Sequence, residues 1–207
     1  MFSDRYSFAK RNGEQYHNPL VPGLHTAQRH WELMQLVAYY QSLEPHYILE
    51  IGTEAGGTLF HWIRHAASPA MVVNVDDFKA LTDWGQKTLP DAWQQWCQDG
   101  VALRTVVGNS RDPEVIKQVT ELLPRVDFLF IDGDHTYEGV EADWLNYGPL
   151  VRRGGIVAFH DLITPDFGPH VKICELWKEI RDAGYMTIEL YAEPNEPWGG
   201  IGLVIIQ

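Results

Sequence analysis

Five short apolar stretches recur along this chain, and each is followed by a helical pattern. They are "YILEIG" (Tyr47–Gly52), "MVVNVD" (Met71–Asp76), "VALRTVVG" (Val101–Gly108), "VDFLFID" (Val126–Asp132) and "GGIVAFHD" (Gly154–Asp161). The intervening segments Thr58–Ala67, Pro113–Leu123, Tyr137–Tyr147 and His170–Ala183 read as helices, as does "DWGQKTLPDAWQQWCQDG", interrupted at Pro90. Tyr137, Val140, Trp144 and Tyr147 fall on one helical face. Parallel strands need a long crossover, so this alternation predicts an α/β chain with helices on both faces of a mostly parallel sheet. Two further strands, "MTIELY" and "GIGLVII", are joined by "AEPNEPWGG" with no helix between them. That final pair is therefore predicted to be antiparallel, giving seven strands in all.

Residues 1–23 are polar and aromatic and read as an irregular lead-in. Thr26–Leu43 reads as a helix with Trp31, Met34, Val37, Ala38 and Gln41 along one stripe, ended by Pro45. Residues 1–46 are expected to form a lid or an oligomer contact, and 47–207 the main domain. Trp31, Trp62, Trp144 and Trp177 fit the core faces of their helices. Trp198, in "NEPWGGIG", can lie over a substrate or pack on the sheet.

The 207 residues suit one domain with a sizeable core. A formal charge of -12 makes a phosphate-backbone partner a poor expectation, so no nucleic acid is predicted. Cys97 and Cys174 lie far apart in no metal-type spacing, which points to a reducing compartment rather than a disulfide framework. The first twenty residues contain no signal-like apolar run, and no stretch approaches the ~20 residues of a membrane span. A cytoplasmic protein without membrane contact is expected.

The strand ends carry the chemistry. "LEIGTEAGG" places Glu50 in the first strand, with Gly52, Thr53 and Gly56 in the turn after it. Ligands in open α/β sheets bind outside the carboxyl ends of the strands, and glycines there allow a tight turn and a close approach. The spacing is G-x-x-x-G, not the dinucleotide G-x-G-x-x-G, and no phosphate-loop motif occurs. The second strand ends in Asp76-Asp77; Asp76 directly terminates it. The third runs into "GNSRD", where Asn109 and Ser110 can face a ligand, or Ser110 or Asp112 can cap the helix from Pro113. The fourth ends in "IDGDH": Asp132, Asp134 and His135. The fifth ends in His160-Asp161. Two aspartates on neighbouring strands, ~4.8 Å apart, offer hard oxygens suited to Mg²⁺ or Ca²⁺, whereas His160 favours a softer metal. Asp134 and Thr136 also read as caps for the helix at Tyr137, and His135 can be structural.

The pattern E-x-G-x-x-x-G resembles the first motif of class I S-adenosylmethionine-dependent methyltransferases, and the resemblance covers roughly Tyr47 to the C-terminus. It implies a Rossmann-like fold. It also implies that Glu50, Gly52, Thr53 and Gly56 hold the methionine end of the cofactor, Asp76 the ribose, and Asn109 and Ser110 the adenine, with Asp132 at the cofactor's edge. The block "IDGDHTYEGVEADWLNYGPLVRRGGIVAFHD" resembles a bacterial subgroup containing cephalosporin-hydroxylase-like proteins and macrolide or rhamnosyl sugar O-methyltransferases. From that likeness Asp132 and Asp161 match acids that bind a divalent ion such as Mg²⁺, and His135 matches a general base. His160 stands where relatives often carry a glutamate, and is grouped with the metal residues. "DFGPH" (Asp166–His170) is a shorter match to the same subgroup. The expected partner is a small-molecule acceptor bearing a hydroxyl, a sugar or natural product, with a homo-oligomer in view. An oxidoreductase using NAD or another nucleotide on a similar sheet, and a cofactor-binding scaffold without turnover, are the alternatives.

Overall fold

The computed structural model describes residues 15–18, 20–21, 24–163, 171–193 and 198–207. The "DFGPH" segment, with His170 of the predicted His170–Ala183 helix, lies outside them; Val171 and Lys172 are described and are not helical, so that helix begins at Ile173. Nine strands, six α-helices and one short 3-10 helix (Gly148–Leu150) follow one another among the described residues. A short hairpin, β1 (Gln15–His17) and β2 (His25–Arg29), precedes α1 (His30–Leu43). The main sheet and its helices then run β3 (Tyr47–Ile51), α2 (Gly57–His65), β4 (Ala70–Asp76), α3 (Asp83–Gln94), β5 (Val101–Val107) and α4 (Pro113–Leu122). The chain continues with β6 (Val126–Ile131), α5 (Tyr137–Tyr147), β7 (Val151–Phe159), α6 (Ile173–Asp182), β8 (Met186–Leu190) and β9 (Ile201–Ile205).

The seven strands lie in the order β5-β4-β3-β6-β7-β9-β8, with β5 through β7 parallel and β9 antiparallel to both its neighbours. This is the predicted Rossmann-like sheet, and its apolar runs are explained by burial on both faces. Along each parallel strand, alternate residues enter different cores. Ile48, Val72, Leu103, Phe128 and Phe130 face α1 and α2, where Tyr40 and Trp62 are fully buried. Leu49, Val73, Val106, Leu129, Ile131 and Val157 face α4, α5 and α6. Gly202 in β9 leaves room for Trp177: a Cβ there would come 2.7 Å from its ring.

Three local expectations change. Thr26–Arg29 is strand, not helix, because it pairs with β1, and α1 begins at His30. The buried face of α1 is Leu33, Leu36, Val37 and Tyr40, so the stripe shifts and Trp31 is 63% exposed rather than a core residue. Pro90 does not interrupt its helix; α3 runs through it, forgoing the one hydrogen bond that its missing N–H would make. Trp198 is buried, with the Arg29 guanidinium over its ring. No helix among the described residues is long and apolar enough to cross a membrane.

Candidate active site

The first loop is built around two glycines whose need is internal. Gly52 adopts φ +86°, and a Cβ would come 2.2 Å from the Asp132 carbonyl oxygen, so only glycine lets the ends of β3 and β6 approach. Gly56 adopts φ +88°, and its Cβ would strike the Trp93 indole at 2.4 Å. Asp76 tethers this loop. One of its oxygens accepts the N–H groups of Thr53 (2.7 Å) and Glu54 (2.8 Å), and the other accepts that of Phe78 (2.6 Å). Asn74 donates to the Thr53 hydroxyl from beneath.

Glu50 is fully buried under the loop. Its Oε1 accepts from the Thr58 hydroxyl (2.6 Å) and the Trp62 indole N–H (2.7 Å). The Thr53 hydroxyl also helps to hold the charge, and Oε2 has no hydrogen-bond partner among the described residues. Burial pushes the Glu50 carboxyl from 4.5 up to about 7, against the pull of those neighbours. A buried, unpaired acceptor beside a glycine turn suits a ligand bearing an ammonium group.

Asn109 turns its side-chain oxygen to the Arg111 N–H at 2.9 Å, and the Ser110 carbonyl accepts from the Tyr147 hydroxyl at 2.6 Å. These two residues stand at the end of β5, in the turn before α4. The cap of α4 is Asp112, with Pro113 at the first helical position.

The ends of β6 and β7 hold the acid cluster. Ile131 pairs with Phe159, which sets Asp132 beside His160. Successive strand residues should point opposite ways, yet His160 and Asp161 both approach Asp132. The reason is the backbone of Asp161, which turns left-handed at φ +62°, a conformation strained for a residue with a side chain. His135 Nε2 lies 3.1 Å from Asp132 Oδ1 and 3.1 Å from Asp161 Oδ2. Asp132, His135 and Asp161 each offer a ligand atom, all within 4.8 Å of one another. Two carboxylates and an imidazole in that compass fit a divalent cation by donor type. Asp134 is set apart: it accepts from the N–H and hydroxyl of Thr136 and pairs with Arg111, while Thr136 itself caps α5.

His160 stands behind this group. Its ring is wholly buried, with Nε2 3.0 Å from Glu32 Oε1 and Nδ1 3.4 Å from Asp132 and 3.3 Å from Asp161. Burial pulls its pKa down, but Asp161, Asp132 and Glu32 outweigh that and hold it well above the usual histidine value. His135 thus joins Asp132 and Asp161 in the converging trio, while His160, grouped with them from the sequence, gives Nε2 to Glu32 and keeps Nδ1 facing both aspartates. Two residues of the site escape sequence reading altogether. Gln28 in β2 donates to Asp132 Oδ2 at 2.7 Å, and Glu32 in α1 buttresses His160. The only sequence signal was a polar residue on the inward side of an amphipathic stretch.

Comparison with known proteins bears on this arrangement. A family model described as a methyltransferase domain matches residues 49–162, more than half of the chain. The rhamnosyl O-methyltransferase of Mycobacterium tuberculosis is 24% identical over 151 residues, covering 67% of this chain but only 56% of that protein. An O-methyltransferase from Bacillus cereus, solved in complex with SAH, superimposes with a TM-score of 0.64 at 18% identity, covering 98% of this chain and 89% of that one. A TDP-rhamnose 3′-O-methyltransferase of calicheamicin biosynthesis gives 0.62 at 22% identity, with 82% and 77% covered. At these identities the structural likeness establishes the fold.

Proposed function

The chain belongs to the methyltransferase-domain family, and from that premise we propose that it transfers the methyl group of S-adenosylmethionine to a hydroxyl of a small molecule, a sugar or a natural product. The observation that carries this reading is the meeting of Asp132, His135 and Asp161 at the carboxyl edge of the sheet, beside the turn that covers Glu50. The names of the rhamnosyl and TDP-rhamnose enzymes support a sugar hydroxyl as acceptor.

When bound, the cofactor supplies an electrophilic methyl: the acceptor oxygen bonds to that carbon as the carbon–sulfur bond breaks and its electron pair returns to sulfur. The residues of the chain do the rest. Gly52, Thr53 and Gly56 shape the turn for the methionine end, and Glu50 offers its bare Oε2 to the ammonium group. Asp76 serves the ribose while tethering the loop, and Asn109 and Ser110 border the adenine. Asp132 and Asp161 would hold a divalent cation, and the chemistry it would supply there is a lowered pKa for the acceptor hydroxyl. His135 accepts the proton released from the acceptor, as an imidazole can near neutral pH. Aligning oxygen and methyl in one line supplies much of the rate.

A second reading has its own support. The Nε2 atom of His135 lies equally close to both carboxylates, which suits a third metal ligand as well as a base. His135→Ala separates the two. As a base, its loss abolishes turnover and leaves Mn²⁺ uptake intact; as a ligand, its loss weakens both.

The test of the whole reading is thermal. S-adenosylhomocysteine is expected to raise the melting temperature, and NAD(H) to leave it unchanged. Stabilisation by NAD(H) alone would revive the oxidoreductase alternative. Labelled methyl transfer to a panel of nucleotide sugars and rhamnosides then tests turnover. Binding of S-adenosylhomocysteine with no acceptor or cation ever found would favour a scaffold.

A further inference from the structure

Two side chains of the N-terminal segment reach the acid cluster from outside the stretch that matches the family model. Gln28, on β2, is buried and donates to Asp132 Oδ2. That bond fixes the rotation of the carboxylate and leaves Oδ1 turned toward His135 and His160. A neutral amide suits the place, because Glu32, Asp132 and Asp161 already crowd acidic charge around His160.

Glu32, on α1, joins three parts of the chain with one carboxylate. Its Oε1 accepts the Arg29 N–H at 2.9 Å and faces His160 Nε2, while Oε2 accepts the Gly200 N–H at 2.6 Å. Both residues are sequestered from water, so neither bond competes with solvent. Held from behind, the His160 ring presents Nδ1 to both aspartates at once.

We propose that Gln28 and Glu32 are positioning residues of the transfer site, holding Asp132 and, through His160, Asp161 in the arrangement that binds a divalent cation. The proposal rests on the reading of those two aspartates as cation ligands. It makes the β1–β2 hairpin and α1 a working part of the centre. Groups that orient metal ligands by hydrogen bonding commonly change affinity by about 10–100-fold when removed.

The test uses the full chain with Gln28→Met and Glu32→Gln. Met keeps the bulk of Gln28 without its donor. Gln at 32 keeps oxygen and length but loses the charge facing His160, and guards against Gln28→Met merely unfolding. Mn²⁺ uptake is read by electron paramagnetic resonance with S-adenosylhomocysteine present, alongside calorimetric affinity for S-adenosylhomocysteine itself. Mn²⁺ affinity should fall about 10–100-fold in each variant while S-adenosylhomocysteine affinity holds. If the unaltered protein binds Mn²⁺ and both variants bind it equally well, the positioning role is wrong and the cation reading survives. If the unaltered protein takes up no Mn²⁺, the cation reading falls and this inference with it. Parallel losses of Mn²⁺ and S-adenosylhomocysteine binding would show a merely structural role and overturn the proposal.

Discussion

Replacing Glu50 with Gln should change how stability depends on pH. Burial raises this carboxyl from 4.5 to about 7. The folded state therefore holds the Glu50 proton more tightly than the unfolded chain does. Below pH 4.5 both states are protonated, and there is no penalty. Between 4.5 and about 7 the unfolded chain loses its proton first, so stability falls as pH rises; above 7 the penalty is constant. The displacement corresponds to about 3 kcal/mol. Gln cannot titrate, and its amide oxygen can still accept from Thr58 and Trp62. Any cost of the new amide N–H group is the same at every pH. The stability of Glu50→Gln relative to the unaltered protein should therefore climb by about 3 kcal/mol across this window, or about 6–12 °C in melting temperature for a chain of this size. Melting curves between pH 5 and pH 8 measure most of it. A bound ligand ammonium should shrink the climb, because it stabilises the charged carboxylate. Parallel pH curves for the two proteins would refute the raised pKa of the buried Glu50 carboxyl.

Other outcomes follow from the same geometry. Gly52→Ala should cost about 3 kcal/mol or more in urea titrations, since it combines a left-handed backbone with a collision against the Asp132 carbonyl; near-native stability would show that β3 and β6 can part. Thr136→Ala removes the cap of α5 and should cost about 1 kcal/mol, with no change in S-adenosylhomocysteine affinity. Asp161→Asn should leave the fold intact, because asparagine tolerates the left-handed backbone, but should weaken Mn²⁺ uptake. Undiminished uptake would remove Asp161 from the cation site.

The parallel sheet was legible because its inner strands are buried on both faces and so read as apolar runs with polar ends. Asp132 and Asp161 could be matched because they terminate neighbouring strands. What failed depended on distant partners. Thr26–Arg29 carries no strand pattern of its own and becomes one by pairing with β1. Gln28 finds Asp132 across 104 positions and Glu32 finds His160 across 128, so no local spacing announces them. The convergence of His135 and His160 on the two aspartates turns on the backbone angle at Asp161 and on Glu32, neither of which periodicity encodes.

The sheet order has a kinetic side. β9 sits between β7 and β8 although it follows both in the chain, and β8 pairs with no other strand among those described. Until Ile201–Ile205 is in place, the outer edge of β7 is unpaired and β8 has nowhere to dock. Docking of β9 should thus be a late step that seals two open edges at once. A chain interrupted before Ile201 would present β7 as a template for pairing with its own kind, so aggregation rather than gradual loss of stability is the expected fate of such a fragment.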